Sequence, residues 1–208
     1  MNRLNILKKV MTKLSAAEPE HTYEIPKIPK DLEHTTSKRD VEYLKYIKKL
    51  IGVISQDPMT GLLHKQHFEQ LEKEKGMYLY IDGDGIKKVN DTHGHAAGHA
   101  AIEALAAGIK AVLRGKDETK VTRFGGDEFV VHIKDVSIAT GVKIAHRILE
   151  SIQKQKISDH YKGEKSVKDE LSEITLGASI GVGHTESEAD KALYQAKAKG
   201  RNRVEFFK

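Results

Sequence analysis

The stretch KVTRFGGDEFVVHI, residues 120–133, constrains the fold of this chain most. Two short apolar runs, 120–124 and 128–133, flank Gly125-Gly126 and a pair of acids. Glycine supplies the positive φ that tight reversals need, so the segment predicts a β-hairpin. The rest of the chain from Asp57 supplies a sheet for that hairpin and helices to cover it. HKQHFEQLEKEK (64–75) predicts a helix, and MYLYID (77–82) a buried strand. An Ala-rich helix over 95–114, a helix over 136–155 and a polar insert from about 156 to 172 follow. A strand over 173–182, a helix over 186–199 and a last strand near 203–207 complete the pattern. Helices interleaved with hairpin-linked strands predict an α+β fold with a mostly antiparallel central sheet.

The first 56 residues read differently. Residues 4–14 place Leu4, Leu7, Met11 and Leu14 on one helical face among lysines. Such a face suits docking on its own protein or a second subunit; a membrane surface is the alternative. Residues 18–38 hold three of the four prolines and read as an extended linker. Residues 39–56 carry Val41, Leu44, Ile47, Ile51 and Ile54, close to a two-heptad seam, and predict a connecting helix. The expected organisation is therefore 1–38, amphipathic segment and linker; 39–56, connecting helix; and 57–208, the α+β domain.

Composition sets the class. With 38% hydrophobic and 31% charged residues the chain has material for one core. Cysteine is absent, which excludes disulfide and thiolate-metal frameworks and fits a reducing compartment. No unbroken apolar run reaches bilayer length and no signal-peptide h-region is present, so a cytoplasmic location is expected. The formal charge is +5, and residues 1–50 carry eleven Lys/Arg against seven Asp/Glu. That surplus is modest, and nothing resembles a DNA-reading helix or an RNA platform, so no nucleic-acid partner is expected.

Two apolar strands end in acid. Asp82 closes YLYI, with Asp84 beyond Gly83, and Asp127-Glu128 sit where the hairpin turns. The Asp-Gly-Asp-Gly run is not an EF-hand, because that loop's fifth, sixth and twelfth positions hold Ile86, Lys87 and His93. Side chains alternate along a strand, which puts Asp82 and Asp84 on one face and sends Asp127 and Glu128 apart. With the hairpin beside strand 77–82, Asp82 and Asp127 converge and Glu128 is free for another role. Two carboxylates are about what Mg²⁺ asks of a protein when phosphates and waters complete its octahedron. Bare backbone at Gly125 and Gly126 lets a nucleotide approach closely.

RFGGDEF (123–129) resembles the signature of the GGDEF, or diguanylate cyclase, family. DPMTGLLHKQHF (57–68) resembles that family's opening motif, DxLTGLxNR, and IDGDGIKKVNDTHGHAAGH (81–99) resembles DxDxFKxxND…GHxxGD. ADKALYQAKAKGRNRV (189–204) matches its C-terminal signature, so the resemblance covers about residues 57–208. It implies a nucleotidyl-cyclase, palm-like domain that condenses two GTP into cyclic di-GMP with release of pyrophosphate, across a homodimer of facing half-sites. It further implies Mg²⁺, with Mn²⁺ as an alternative ion, held by Asp82, Asp127 and the Gly83 carbonyl. Glu128 is implied to help deprotonate the attacking 3′-hydroxyl. Lys87, Lys197 and Arg201 match phosphate-contacting positions, Gly125 and Gly126 the turn over the nucleotide, and Asn90 the guanine reader. Asp84 is read as structural or supporting.

The sequence departs from the family at His99, where the motif ends in aspartate. Guanine offers two adjacent donors, which suit a carboxylate, whereas neutral imidazole has one acceptor and one donor. Three functions stay open: a GTP-using cyclase, a synthase with relaxed or switched base choice that accepts ATP, and a non-catalytic nucleotide-binding protein. Ile86 replaces the usual Phe, and His64-Lys65 replace Asn-Arg. The family's RxxD feedback motif would fall at Lys116–Thr119, which reads KDET, so no feedback site of that kind is expected. EAL at 103–105 lies inside the Ala-rich helix and is a coincidence with another family's tripeptide, since that family's barrel needs roughly 250 residues.

Overall fold

A computed structural model describes residues 56–65, 68, 75–113 and 119–208. The chain divides into two units at Gln56/Asp57, and the architecture below is that of the second. The expectations for residues 1–55 and for most of the 64–75 helix lie outside the described residues; Lys65 and Phe68 are helical.

Among the described residues six strands form one sheet in the order β1-β3-β4-β2-β5-β6. They are β1 (Leu63–His64), β2 (Gly76–Asp84), β3 (Thr119–Gly125), β4 (Glu128–Lys134), β5 (Gly177–Gly183) and β6 (Arg203–Phe206). β3 and β4 are the hairpin expected around Gly125-Gly126, and β4 pairs antiparallel with β2, placing Ile81 opposite Phe129 and Asp82 opposite Glu128. The four central strands are antiparallel, whereas β1 and β6 run parallel to their neighbours.

Period-two alternation splits β2 between two environments. Met77, Leu79 and Ile81 join Phe129, Val131 and Ile133 in the main core. That core is closed by α2 (His95–Leu113) and α3 (Ile138–Gln153), which contribute Ala101, Leu105 and Ile148, all fully buried. Each large apolar side chain buried there contributes about 1.5–3 kcal/mol. A Cβ at Gly108 would stand 2.8 Å from the Ile152 Cα, so α2 and α3 cross at close range. By length and composition α2 is apolar enough to cross a membrane, yet most of it is buried within this core. On the other face Tyr78 joins Phe68, Val130 and Ala189 in a smaller cluster. β4 is apolar on both sides because both of its faces are covered.

Sequence reasoning missed one helix beside the acids. The segment after Asp84, to which the sequence pattern assigns no element, is α1 (Ile86–His93), started by Gly85 at φ 81° and stopped by Gly94 at φ 83°. It buries only Ile86 and Val89, too few apolar residues to print a helical period. The polar insert likewise folds into α4 (Ile157–His160) and α5 (Lys165–Ser172), anchored by fully buried Ile157 and Leu171. The last helix, α6 (Glu186–Ala198), starts at Thr185, whose hydroxyl accepts from the Glu188 N–H, while the Glu188 carboxylate accepts from the His184 N–H. This close relative of a capping box satisfies two otherwise orphaned donors.

Candidate active site

The site grows from the end of β2 and the helix laid over it. The β5 residues facing α6 are Gly177, Ser179, Gly181 and Gly183, paired with Asp84, Asp82, Tyr80 and Tyr78. A Cβ at Gly181 would stand 2.1 Å from the Ala189 carbonyl oxygen, and one at Gly183 2.5 Å from the Ala189 nitrogen. Glycine therefore lets α6 lie directly on the sheet backbone. That seating carries Lys197, near the end of α6, onto Asp82: Nζ donates to Oδ2 at 2.6 Å.

Asp127 reaches the same place from the hairpin turn. The Gly83 N–H donates to the Asp127 carbonyl at 3.1 Å, tying the turn to the end of β2. Burial and then the Asp82 charge push the Asp127 carboxyl above its ordinary range, with partial relief from Lys197 and Arg123. The Asp82 charge thus acts on Asp127, whose Cβ would stand 3.4 Å from a Cβ placed at Gly83. Glu128 is exposed and lies across the strand pair from Asp82. A Cβ at Gly125 or Gly126 would meet nothing within 4 Å, and Gly126 has φ 42°. The turn's backbone is bare and open.

Arg123 and Asp57 brace that turn, a role the sequence reading did not assign. The Arg123 guanidinium donates through Nε and Nη2 to the Gly126 carbonyl, at 2.9 and 2.8 Å, and through Nη1 to Asp57 Oδ2 at 2.9 Å. Asp57 is buried, and its Oδ1 accepts from both the N–H and hydroxyl of Thr60 at 2.7 Å. Burial alone would raise the Asp57 carboxyl, but the Thr60 hydrogen bonds and the Arg123 charge hold it below its ordinary range. The carbonyl immediately before Asp127 is thereby fixed to the start of the domain.

Asp84 is held by the protein itself. It accepts from Ser179 Oγ and from the Asn202 N–H at 2.9 and 2.8 Å. The Arg201 guanidinium stands 4.0 Å away and is largely exposed. Lys87 is exposed on α1. Asn90 Oδ1 is buried and accepts no hydrogen bond among the described residues. A Cβ at residue 98 would fall 1.7 Å from that oxygen, so Gly98 of α2 makes room for the amide. His99 is the next residue and is exposed. Ile86 is core. Apart from Thr119, the KDET stretch lies outside the described residues.

The donor set suits a hard divalent cation. Neighbouring carboxylates and bare backbone are the hard oxygen donors that such an ion takes from protein when phosphates supply the rest. Among the described residues no group of three or more His, Cys, Asp or Glu forms a self-sufficient cage.

An α+β sheet with acids at the end of β2 and at a glycine-turned hairpin, flanked by Lys197 of α6 and Arg201 of the turn beyond it, defines a domain of the nucleotidyl-cyclase type. The chain belongs to the family described as diguanylate cyclase, GGDEF domain, whose model matches residues 54–203. It is 34% identical over 179 residues to diguanylate cyclase A of Treponema denticola, covering 75% of this chain and 45% of that protein. The GGDEF domain of TpbB (YfiN) from Pseudomonas aeruginosa matches with a TM-score of 0.60 and 28% identity, over 74% of this chain and 94% of that one. DgcB of Caulobacter crescentus, solved with its coiled coil and cyclic di-GMP, matches with a TM-score of 0.64 over 81% of this chain and 94% of that one. At 22% identity that likeness speaks for the fold alone. The match spans less than half the length of the curated relative.

Proposed function

We propose that the chain is a diguanylate cyclase, joining two GTP molecules into cyclic di-GMP with release of two pyrophosphates. One observation carries this reading: the turn bearing Asp127 is bonded to the end of β2, where Lys197 holds Asp82, next to backbone left bare by Gly125 and Gly126. In each of two steps a 3′-oxygen bonds to the α-phosphorus of the opposing nucleotide. The bond from that phosphorus to the bridging oxygen breaks, and pyrophosphate leaves with the electron pair. Each half-site presents one nucleotide, so catalysis requires a homodimer.

Asp82, Asp127 and the Gly83 carbonyl would hold Mg²⁺, with Mn²⁺ as a substitute, to neutralise charge on the reacting phosphates. Glu128 accepts the proton of the 3′-hydroxyl. Lys87, Lys197 and Arg201 place positive charge along the triphosphate, which binds anionic oxygens more strongly than neutral donors would. The unpartnered Asn90 Oδ1 accepts from the guanine edge. GTP supply makes the cytoplasm the proposed location.

His99 sustains a second reading, in which the base pocket accepts adenine. Incubation of purified protein with Mg²⁺ and GTP, ATP or both, followed by mass spectrometry of products, separates the readings. Cyclic di-GMP alone is expected. Adenine-containing rings would transfer the assignment to the second reading, and no turnover under dimerising conditions would leave a nucleotide-binding protein. Asp127→Asn should abolish synthesis; turnover retained by that variant would remove Asp127 from the reaction.

A further inference from the structure

β2 ends in two carboxylates on one face, and only Asp82 is used by the reaction proposed above. Asp84 is buried to the same degree, with 12% of its side chain exposed, and both of its oxygens are taken. Oδ1 accepts from Ser179, a fully buried residue of the neighbouring strand, and Oδ2 accepts from the backbone N–H of Asn202. Asn202 lies in a turn of three successive left-handed residues: Gly200 at φ 107°, Arg201 at φ 62° and Asn202 at φ 47°. Glycine adopts such values freely, but Arg and Asn do so at a cost, so surrounding contacts must hold them there. The Arg201 N–H donates to the Ala196 carbonyl at 3.0 Å, and Gln153 Nε2 donates to Asn202 Oδ1 at 3.0 Å. Two charged side chains bond this turn's backbone: Asp84 accepts from the Asn202 N–H, and Arg203 Nε donates to the Arg201 carbonyl at 3.3 Å, so Asp84 is the carboxylate that holds it.

The outcome of this restraint is the placement of one cation. Arg201 projects from the turn with 63% of its side chain exposed, and its Nε lies 4.0 Å from Asp84 Oδ1. That distance exceeds a hydrogen bond, so the guanidinium is not committed to the carboxylate beside it. Lys197, one turn of helix earlier, is already aligned with Asp82. The geometry points to Asp84 as a positioning residue. It fixes the left-handed turn at 200–202 and so aims Arg201 at the triphosphate, setting nucleotide affinity without touching nucleotide or metal ion. This inference rests on the reading of Arg201 as a phosphate contact.

Electrostatics alone gives the opposite sign. Removing a carboxylate beside an anion-binding site should tighten binding of a triphosphate, since like charges repel. A positioning role predicts that its removal loosens binding. The experiment is titration calorimetry with Mg²⁺ and a GTP analogue carrying a methylene bridge between the α and β phosphorus atoms. It uses the full chain as wild type, Asp84→Asn, Arg201→Ala and the double variant. Loss of a charge-assisted phosphate contact should make Arg201→Ala about tenfold weaker or more. Asp84→Asn should weaken binding several-fold, and the double variant should bind no more weakly than Arg201→Ala alone.

Tighter or unchanged binding by Asp84→Asn would overturn the inference, as would additive losses in the double variant. Should Asp84→Asn fail to fold, Ser179→Ala removes one of the two bonds to Asp84 within a smaller side-chain volume. It should show a lesser weakening that vanishes in the Arg201→Ala background, and a weakening that persists there would overturn the inference equally. Failure of the wild type to bind the analogue would instead sink the functional reading itself, and this inference with it.

Discussion

Gly181→Ala should displace α6 and disarm the site without altering any residue that touches substrate. The new Cβ would stand 2.1 Å from the Ala189 carbonyl oxygen and 2.1 Å from the Leu193 nitrogen, both helix backbone atoms that no rotamer change can move. Ordinary contact begins at 3.4 Å, so the helix must retreat by about 1.3 Å. Lys197 Nζ, now 2.6 Å from Asp82 Oδ2, would move to about 3.9 Å if carried with it. That ends the hydrogen bond. Overpacking of this kind costs about 1–3 kcal/mol. For a domain of this size each kcal/mol lowers Tm by about 2–4 °C, so a fall of roughly 2–12 °C is expected in a thermal melt. A misplacement of about 1 Å costs on the order of 100-fold in turnover, measured as cyclic di-GMP formed under saturating Mg²⁺. Gly125→Ala is the stability control, because a Cβ there meets nothing within 4 Å; its Tm should match wild type. If Gly181→Ala melts with wild type and turns over normally, α6 is not held by the glycine contact and the account of how Lys197 reaches Asp82 fails.

Three further outcomes follow from the same geometry. Arg123→Ala should destabilise the domain by about 3 kcal/mol, since it strands Asp57 as a buried, unpaired charge. Arg123→Lys should not rescue it, because an ammonium cannot reproduce the fork that spans Asp57 and Gly126, and recovery of wild-type Tm by lysine would refute the clasp. Asp127 is raised by burial and by Asp82, so its contribution to stability is full below the unfolded value near 3.8 and is lost as pH rises through the higher folded value. In EDTA, Asp127→Asn should therefore melt above wild type at pH 7 and converge with it below about pH 4; a gap independent of pH would contradict this. His99→Asp should raise the GTP/ATP preference measured by initial rates, by about 10-fold for a regained pair of hydrogen bonds, and an unchanged ratio would remove His99 from base selection.

What the sequence revealed and what it hid divide along physical lines. The β3–β4 hairpin and the buried strand β2 were legible because alternation and glycine placement are local signals. That the hairpin turn lies beside the end of β2 was legible because each closes an apolar strand, and two such strands pairing side by side bring their ends together. α1 was hidden because Ile86 and Val89 alone cannot establish a period of 3.6. Asp57 was hidden because its partner Arg123 lies 66 residues away and only tertiary folding joins them. The seating of α6 could have been found. Gly177, Ser179, Gly181 and Gly183 alternate along GASIGVG, and a strand face with nothing larger than serine announces close approach by another backbone.

That face also shows local preference yielding to the site. Glycine in a strand interior sacrifices roughly 0.5–1 kcal/mol relative to alanine, and β5 does so at consecutive positions of one face. Bulkier residues would suit an isolated strand better, but they would lift α6 from the sheet and carry Lys197 away from Asp82. At the other end of the same face, a Cβ on Gly177 would crowd Asn202 Oδ1 at 3.1 Å, so the strand leaves room for the Arg201 turn as well. Local and global demands conflict along this face, and such conflicts are expected where function rather than stability sets the residue. Both α6-side cations therefore depend on the smallness of one strand. Change in that strand should be felt in phosphate binding before it is felt in the core, where Ala178, Ile180 and Val182 point the other way.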